Sequence, residues 1–318
     1  MTAGRLLDNS TYIFFALIVL VFSLLSGRFL SMENGINILV QAAPLAIVAT
    51  GMTFVLLTAG IDLSVGSIMF LAGVVSAKLV LAGVPLGVAT LAILGVGLLF
   101  GLVNAVCIYR VRIIPFIVTL ATFYAGRGLG LHLSETRAIN LPENFLLLGS
   151  ARLLGLPLPV WVLLLVVGIA HLVLSRTVFG RQLYAVGNDI EKARRAGLPV
   201  ERILLAVYLI CGFCAALGGL VALSQLGAVS PTFGYQYEFV AIAAAVLGGA
   251  SLFGGRGSVF PGTLIGALLI QSLQSGLVIV NADPYLYPLI TGAVIFMIVM
   301  LDSLRHRRAL NRRKLARV

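Results

Sequence analysis

Val160-Trp-Val-Leu-Leu-Leu-Val-Val-Gly-Ile-Ala-His-Leu-Val-Leu174 runs for 15 positions without an aspartate, glutamate, lysine or arginine. That stretch decides the class. Strands of an outer-membrane barrel show short alternating segments of about 10 residues. An unbroken apolar run instead reads as a helix in hydrocarbon. The rest of the chain has the same character. Its 318 residues are 60% hydrophobic and 10% charged, whereas a soluble domain carries about 25% charged residues. The 33 charged side chains cannot wet the surface of a 33.6 kDa soluble protein. The sequence therefore predicts an all-α polytopic membrane protein.

A spanning helix needs roughly 20 apolar residues. About ten transmembrane helices can be drawn: 12–25, 36–58, 67–81, 86–109, 113–131, 159–174, 203–225, 239–252, 258–280 and 285–301. Glycine-rich breaks fall at 60–66 and 248–257. Each reads either as a tight cytoplasmic turn or as an unwound segment inside the membrane. The second is tolerated only where the backbone is buried in protein or lines a cavity. Arg5 precedes the first apolar run without a small-residue cleavage site, so that run is read as a retained span.

Basic residues orient the spans, because cytoplasmic loops collect lysine and arginine. Seven lie in the tail from Arg305 to Arg317 and six in the 176–202 loop, together 13 of the 22 in the chain. Four predicted spans separate the two clusters, so both fall on one side. Arg110, Arg112 and Arg5 fall on that side too. The reading is a single transmembrane permease-like domain over 1–302, both termini cytoplasmic, with a cytoplasmic loop at 176–202 and a basic cytoplasmic tail at 303–318. The net charge of +11 is then topological. It faces anionic membrane lipid and does not point to nucleic acid.

Polar groups in the spans are expensive and are functional candidates. Asp62 lies in Ala59-Gly-Ile-Asp-Leu-Ser-Val-Gly66. Asp62 and Ser64 can cap the helix that starts near Val65. Asp62 can also contact a ligand, or couple to protons in a self-sufficient carrier. A proton relay needs a chain of partners, and Glu238 and Asp283 are expected near the outer ends. Neutral groups are more numerous: Gln41, Thr53, Asn104, Thr119, Thr122, Gln225, Gln271 and Gln274. Amides and hydroxyls suit an uncharged polyhydroxy solute better than an ion, though each can also join helices. Asp62, Ser64, Asn104, Thr119, Thr122 and Gln271 are the candidates for the translocation path. Gly262-x-x-x-Gly266 predicts close helix packing. Cys107, Cys211 and Cys214 read as small buried hydrophobes. The three histidines are far apart, and no metal constellation or catalytic group is visible.

Uphill transport needs an energy source. Lys78, Lys192 and Lys314 follow Ala77, Glu191 and Arg313. None completes the G-x-x-x-x-G-K-[ST] phosphate loop. The chain is therefore read as a non-enzyme, driven by an ion gradient or by a separate ATPase. The 176–202 loop is the best docking surface. It predicts a short helix capped by Asn188 or Asp189, supported by Glu191 with Arg195 and ended by Gly197 before Leu-Pro.

Four stretches resemble the permease subunits of ribose/xylose/galactofuranose-type bacterial ABC importers, over roughly residues 12–302. They are Gly51-Met-Thr-Phe-Val-Leu-Leu-Thr-Ala-Gly-Ile-Asp-Leu-Ser-Val-Gly-Ser67; Ile114-Pro-Phe-Ile-Val-Thr-Leu-Ala-Thr122 with Arg127-Gly128; Phe179-Gly-Arg-Gln-Leu-Tyr-Ala-Val-Gly187; and Val246-Leu-Gly-Gly-Ala-Ser-Leu-Phe-Gly-Gly-Arg-Gly-Ser258. The resemblance implies import of a monosaccharide across the bacterial inner membrane. It implies a second permease subunit, a periplasmic sugar-binding protein and an ABC ATPase that holds the ATP and magnesium, with no cofactor on this chain. The third stretch opens the family's coupling loop, which here would comprise Gly180, Arg181, Tyr184, Gly187, Asn188, Glu191, Arg194 and Gly197. The family's loop reads Gly-Gly-Asn after Ala-Val, and this chain reads Gly187-Asn188-Asp189. That departure bears on the local turn.

Overall fold

The computed structural model describes residues 10–297 and residue 300. The basic tail and Arg5 lie outside those residues. Helices occupy all ten apolar stretches: α1 (Ser10–Leu25), α2 (Met32–Leu57), α3 (Val65–Leu81), α4 (Leu86–Tyr109), α5 (Pro115–Ser134), α7 (Leu158–Arg176), α10 (Val200–Leu226), α11 (Tyr237–Leu247), α12 (Leu264–Ile279) and α13 (Pro284–Met297). Three further helices lie in loops: α6 (Glu143–Ser150), α8 (Val178–Asn188) and α9 (Ile190–Arg195). Among the described residues, five helices are long and apolar enough to cross a membrane: α2, α4, α7, α10, and α12 with the turn Val259–Thr263 that leads into it.

α2 is the central post. Every residue from 42 to 57 is buried, as expected of a helix that is apolar all round. α10, α11, α12 and α7 pack around it. Close contact depends on small residues, which let backbones approach. A Cβ added to Gly97 would overlap the Gly212 carbonyl, and one on Gly266 would overlap the Ala244 carbonyl. The Gly262-x-x-x-Gly266 pattern thus packs as expected, against the end of α11. Cys211 and Cys214 are buried, Cys211 beside Asp62, and Cys107 is half-buried.

Loops gather at the two ends of α2. At one end Leu57 meets Gly187 of α8 and Gly255 of the second glycine-rich break. At the other, two short antiparallel ladders form. β1 (Ile139–Asn140) pairs with β4 (Ala228–Val229), and β2 (Arg152–Leu153) with β3 (Leu156–Pro157). Near that second end the Gln225 amide donates to the Val40 carbonyl (3.0 Å) and the Ser275 hydroxyl to Asn34 (2.8 Å).

The eighth apolar stretch differs from its expected bounds. α11 stops at Leu247 and spans 11 residues, about 16 Å at 1.5 Å per residue. The segment 230–236 before it is unwound and packs inward, where Gly234 meets Gly66. Glu238, expected near an outer end, is instead buried in the bundle at 3% exposure. Asp283 is exposed and caps the first turn of α13.

Candidate functional site

The break between α2 and α3 is buried in protein. Asp62 and Ser64 are both at 0% exposure. The Asp62 carboxylate Oδ1 accepts from the Ser64 hydroxyl (2.6 Å) and from the Ser64 N–H (2.9 Å). Asn104 on α4 donates its amide to Ser64 Oγ (2.9 Å). Thr122 on α5 donates to Asn104 Oδ1 (2.7 Å). The Thr119 hydroxyl lies 3.0 Å from the Pro115 carbonyl and 3.3 Å from the Ile61 carbonyl. Four of the six path candidates, Asp62, Ser64, Asn104 and Thr122, therefore meet in one chain, and Thr119 lies beside it on the Ile61 carbonyl. The hydrogen-bonded chain ties the start of α3 to α4 and α5 through groups already engaged with one another.

The capping expectation needs correction. Ser64 sits at the N-cap of α3 but its side chain makes no cap bond. Its lone pairs are engaged by Asn104 instead. Asp62 accepts from Ser64 itself and not from N–H groups further into the helix. Its Oδ2 is buried without a hydrogen-bond partner. Gln271, the sixth candidate, lies elsewhere. Its amide donates to Gln41 Oε1 (2.9 Å) in the half of α2 far from Leu57.

The 176–202 loop folds as two helices where one was expected. Thr177 caps α8 by accepting from Gly180 N–H (3.1 Å). Asp189 caps α9 by accepting from the N–H groups of Glu191 (3.1 Å) and Lys192 (3.0 Å). The Lys192 N–H and side chain hold the Asp189 carboxyl below its usual range, and the same pairing raises Lys192. Asn188 ends α8 and caps nothing. Glu191 pairs with Arg194 at i,i+3 (2.8 Å) and not with Arg195 at i,i+4; both positions lie on the same helix face. Gly197 ends the segment at φ +78°.

α8 is two-faced. Gly180, Leu183, Val186 and Gly187 are buried, while Arg181, Ala185 and Asn188 are exposed, followed by exposed Glu191, Lys192, Arg194 and Arg195 on α9. The buried face rests on the end of α2 and on the second glycine-rich break. A Cβ on Gly187 would overlap the Leu57 carbonyl and come within 2.7 Å of Gly255 N. Tyr184 donates its hydroxyl to the Gly257 carbonyl (2.7 Å). Gly255 N–H donates to the Leu57 carbonyl (2.9 Å), which joins the second break to the end of α2, just before the first break.

One buried charge was read only as part of a family pattern. Arg127 on α5 is 8% exposed and donates to the Phe233 carbonyl (2.8 Å) and, more weakly, to Pro231 (3.4 Å). Its guanidinium stands over the rings of Phe70 (5.1 Å), Phe123 (5.8 Å) and Tyr235 (5.8 Å). It holds the unwound 230–236 segment against the bundle. Glu238 lies in the same interior and attracts Arg127, but among the described residues no ion pair joins them within 4.0 Å. The usable signal was an arginine inside an apolar stretch. Its partners are backbone carbonyls, which leave no pattern in sequence.

A bundle of apolar helices, with a two-faced helix at one end contacting the end of α2 and the second interruption, defines a polytopic membrane permease. The comparisons agree. The chain belongs to the family described as branched-chain amino acid transport system / permease component, whose model matches residues 34–299. It is 36% identical over 304 residues to the ribose import permease protein RbsC of Haemophilus influenzae, covering 94% of each chain. It is 37% identical to the D-allose transport system permease protein AlsC of Escherichia coli, over 92% of this chain and 91% of that one. It is 35% identical to the galactofuranose transporter permease protein YtfT of the same organism, over 91% and 87%. No solved structure matches. The resemblance to sugar-importer permeases therefore holds, and these relatives are transport subunits and not enzymes.

Proposed function

We propose that this chain is the permease subunit of an ATP-driven importer of a neutral monosaccharide in the bacterial inner membrane. The observation that carries the reading is the seat of α8 on Leu57 and on Gly255–Gly257. It links an exposed, charged surface to the end of α2 and to the second break in the bundle. In this reading α1–α5, α7, α10, α12 and α13 cross the membrane, α11 makes the eighth span together with the unwound 230–236 segment before it, both termini are cytoplasmic, and α8–α9 face a separate ATPase that binds ATP and magnesium. A periplasmic binding protein delivers the sugar to the opposite end. A second permease subunit completes the path. The relatives' names support a sugar of the ribose, allose or galactofuranose kind.

The test is uptake by vesicles holding this chain with and without its ATPase. Uptake is expected only with the ATPase and ATP. Uptake that persists without the ATPase and collapses with the proton gradient would overturn the reading in favour of an ion-coupled carrier. Full burial of Asp62 and its bonds to Ser64 favour an anchoring role over proton exchange.

Two predictions follow from these surfaces. Arg181→Glu is expected to lower ATP-driven uptake about tenfold, the loss of about 1.4 kcal/mol at an interface, with normal membrane insertion. Arg181→Lys should retain most activity. Unchanged stimulated ATP hydrolysis in Arg181→Glu would remove Arg181 from the docking surface. Asp62→Asn is expected to reduce folded yield, and Asp62→Ala more so. The alanine leaves two Ser64 donors without their acceptor, at about 1–3 kcal/mol for a buried group. Sugar preference should not change in the protein that folds. A well-folded Asp62→Asn with altered preference would place Asp62 on the path.

A further inference from the structure

Gln271 and Gln41 belong to a cleft of about 470 Å³, lined by side chains of α2, α12 and the start of α13. Its polar wall comprises Asn37, Gln41, Gln271, Gln274 and Ser275, with Tyr287 closing one side. None of these side chains is charged at neutral pH. Asn37 and Gln41 are exposed although they lie on a helix of spanning length. An amide facing hydrocarbon has no partner and is costly, so polar side chains at this depth face protein or a water-filled cavity. Gln41 lies about 14 Å along α2 from Met32, at 1.5 Å per residue. The cleft therefore reaches inward from the end of the bundle.

Its position has a direction. Gln41 is about 24 Å along α2 from Leu57, where α8 is seated. The cleft opens at the end of the bundle away from the coupling contact. Its size falls in the range of about 300–1,000 Å³ usual for small-molecule sites. Its chemistry is specific. Carboxamides supply donors and acceptors together, as vicinal hydroxyls do, and the Tyr287 ring offers an apolar face to the C–H side of a sugar. The absence of a lysine or arginine from the lining disfavours a phosphate, and with it a phospholipid headgroup.

We propose that this cleft is the entry subsite for a free neutral pentose or hexose, held by Asn37, Gln41, Gln271 and Gln274 before it crosses. The proposal rests on the sugar-importer reading and names the place where that reading begins to act on the sugar. The test uses the full complex with its ATPase and binding protein. It is reconstituted in phosphatidylethanolamine–phosphatidylglycerol vesicles, which contain no glycolipid. Asn37→Cys is labelled with a membrane-impermeant maleimide from the side opposite the ATPase, with unsubstituted protein as the blank. D-ribose, D-allose and D-fructose are the probes. At least one is expected to slow labelling several-fold, and Gln41→Leu with Gln274→Leu should raise the KM for that sugar about tenfold while leaving maximal uptake within about twofold. Gln41→Leu also removes the acceptor of the Gln271 amide, so Gln274→Leu alone is the control in which insertion should be normal and the KM should still rise. Labelling that no sugar slows, together with an unchanged KM, overturns the subsite while leaving ATP-driven uptake intact. Uptake by the unsubstituted complex without ATP would overturn the importer reading itself.

Discussion

Gly187→Val is expected to abolish coupled transport while the protein still enters the membrane. The reason is local. Gly187 is buried one residue before the end of α8, and any Cβ there overlaps the Leu57 carbonyl oxygen. The same Cβ comes within 2.7 Å of Gly255 N, whose N–H donates to that carbonyl. Neither neighbour is a flexible side chain, so α8 has to lift away from both. Overpacking of this kind costs about 1–3 kcal/mol and sometimes more. Here it also removes the contact through which the docking surface would act. Uptake should fall by more than tenfold, the equivalent of about 1.4 kcal/mol or more. Gly187→Ala should lie between wild type and valine. Ala185→Val is the control, because Ala185 is exposed on the same helix and should behave as wild type. ATP-driven uptake, ATPase co-purification and protease-protected fragments in one vesicle preparation separate lost coupling from failed insertion. Gly187→Val with near-normal uptake would show that the seat of α8 does not carry coupling.

The contrast between Gly187 and Arg127 shows what a sequence can reveal here. Hydropathy located the ten apolar stretches because a helix in hydrocarbon has to be apolar along its length. The apolar stretch drawn to 252 overran the end of α11, but the glycine-rich break marked at 248–257 begins where the helix stops at Leu247, and packing against Gly262 and Gly266 fixes the turn there. The contact between Leu57, Gly187 and Gly255 joins three remote segments. Its trace in the sequence is an excess of glycine, which marks close approach without naming the partner. The cap at Asp189 was legible, since an acceptor just before a helix is a local signal. The Glu191 partner was misplaced by one residue, because i,i+3 and i,i+4 partners both face it and sequence alone does not choose between them. The polar path candidates divided into two groups for a similar reason. Asp62, Ser64, Asn104, Thr119 and Thr122 gather where α3, α4 and α5 meet, whereas Gln271 faces Gln41 across the far half of α2. Hydropathy weights such residues alike, and packing alone sorts them.

Arg127→Met is expected to be the most destabilising single substitution among the buried polar groups. Methionine keeps much of the aliphatic stem but removes every donor. The Phe233 and Pro231 carbonyls lose the guanidinium. The rings of Phe70, Phe123 and Tyr235 lose the cation above them, a contact worth about 2 kcal/mol when desolvated. Glu238, buried at 3% exposure, loses the positive charge that attracts it. Arg127 and Glu238 are not paired within 4.0 Å, so the loss rests mainly on the carbonyls and rings, at about 2–3 kcal/mol. Thermal unfolding of the purified protein in detergent measures the loss. Arg127→Met with Glu238→Gln should then recover about 1 kcal/mol, as a double-mutant cycle for coupled groups reports. Arg127→Lys should recover less than that. A lysine keeps the charge but lacks the flat guanidinium that stands over three rings, although the two carbonyl contacts are both made by Nη1 alone. A double variant no more stable than Arg127→Met would mean that the two charges act independently. Arg127 would then hold the 230–236 segment through the carbonyls and rings alone. An Arg127→Met protein as stable as wild type would show that the segment keeps its place without the arginine, and that α11 begins inside the bundle through the packing of Gly66 on Gly234.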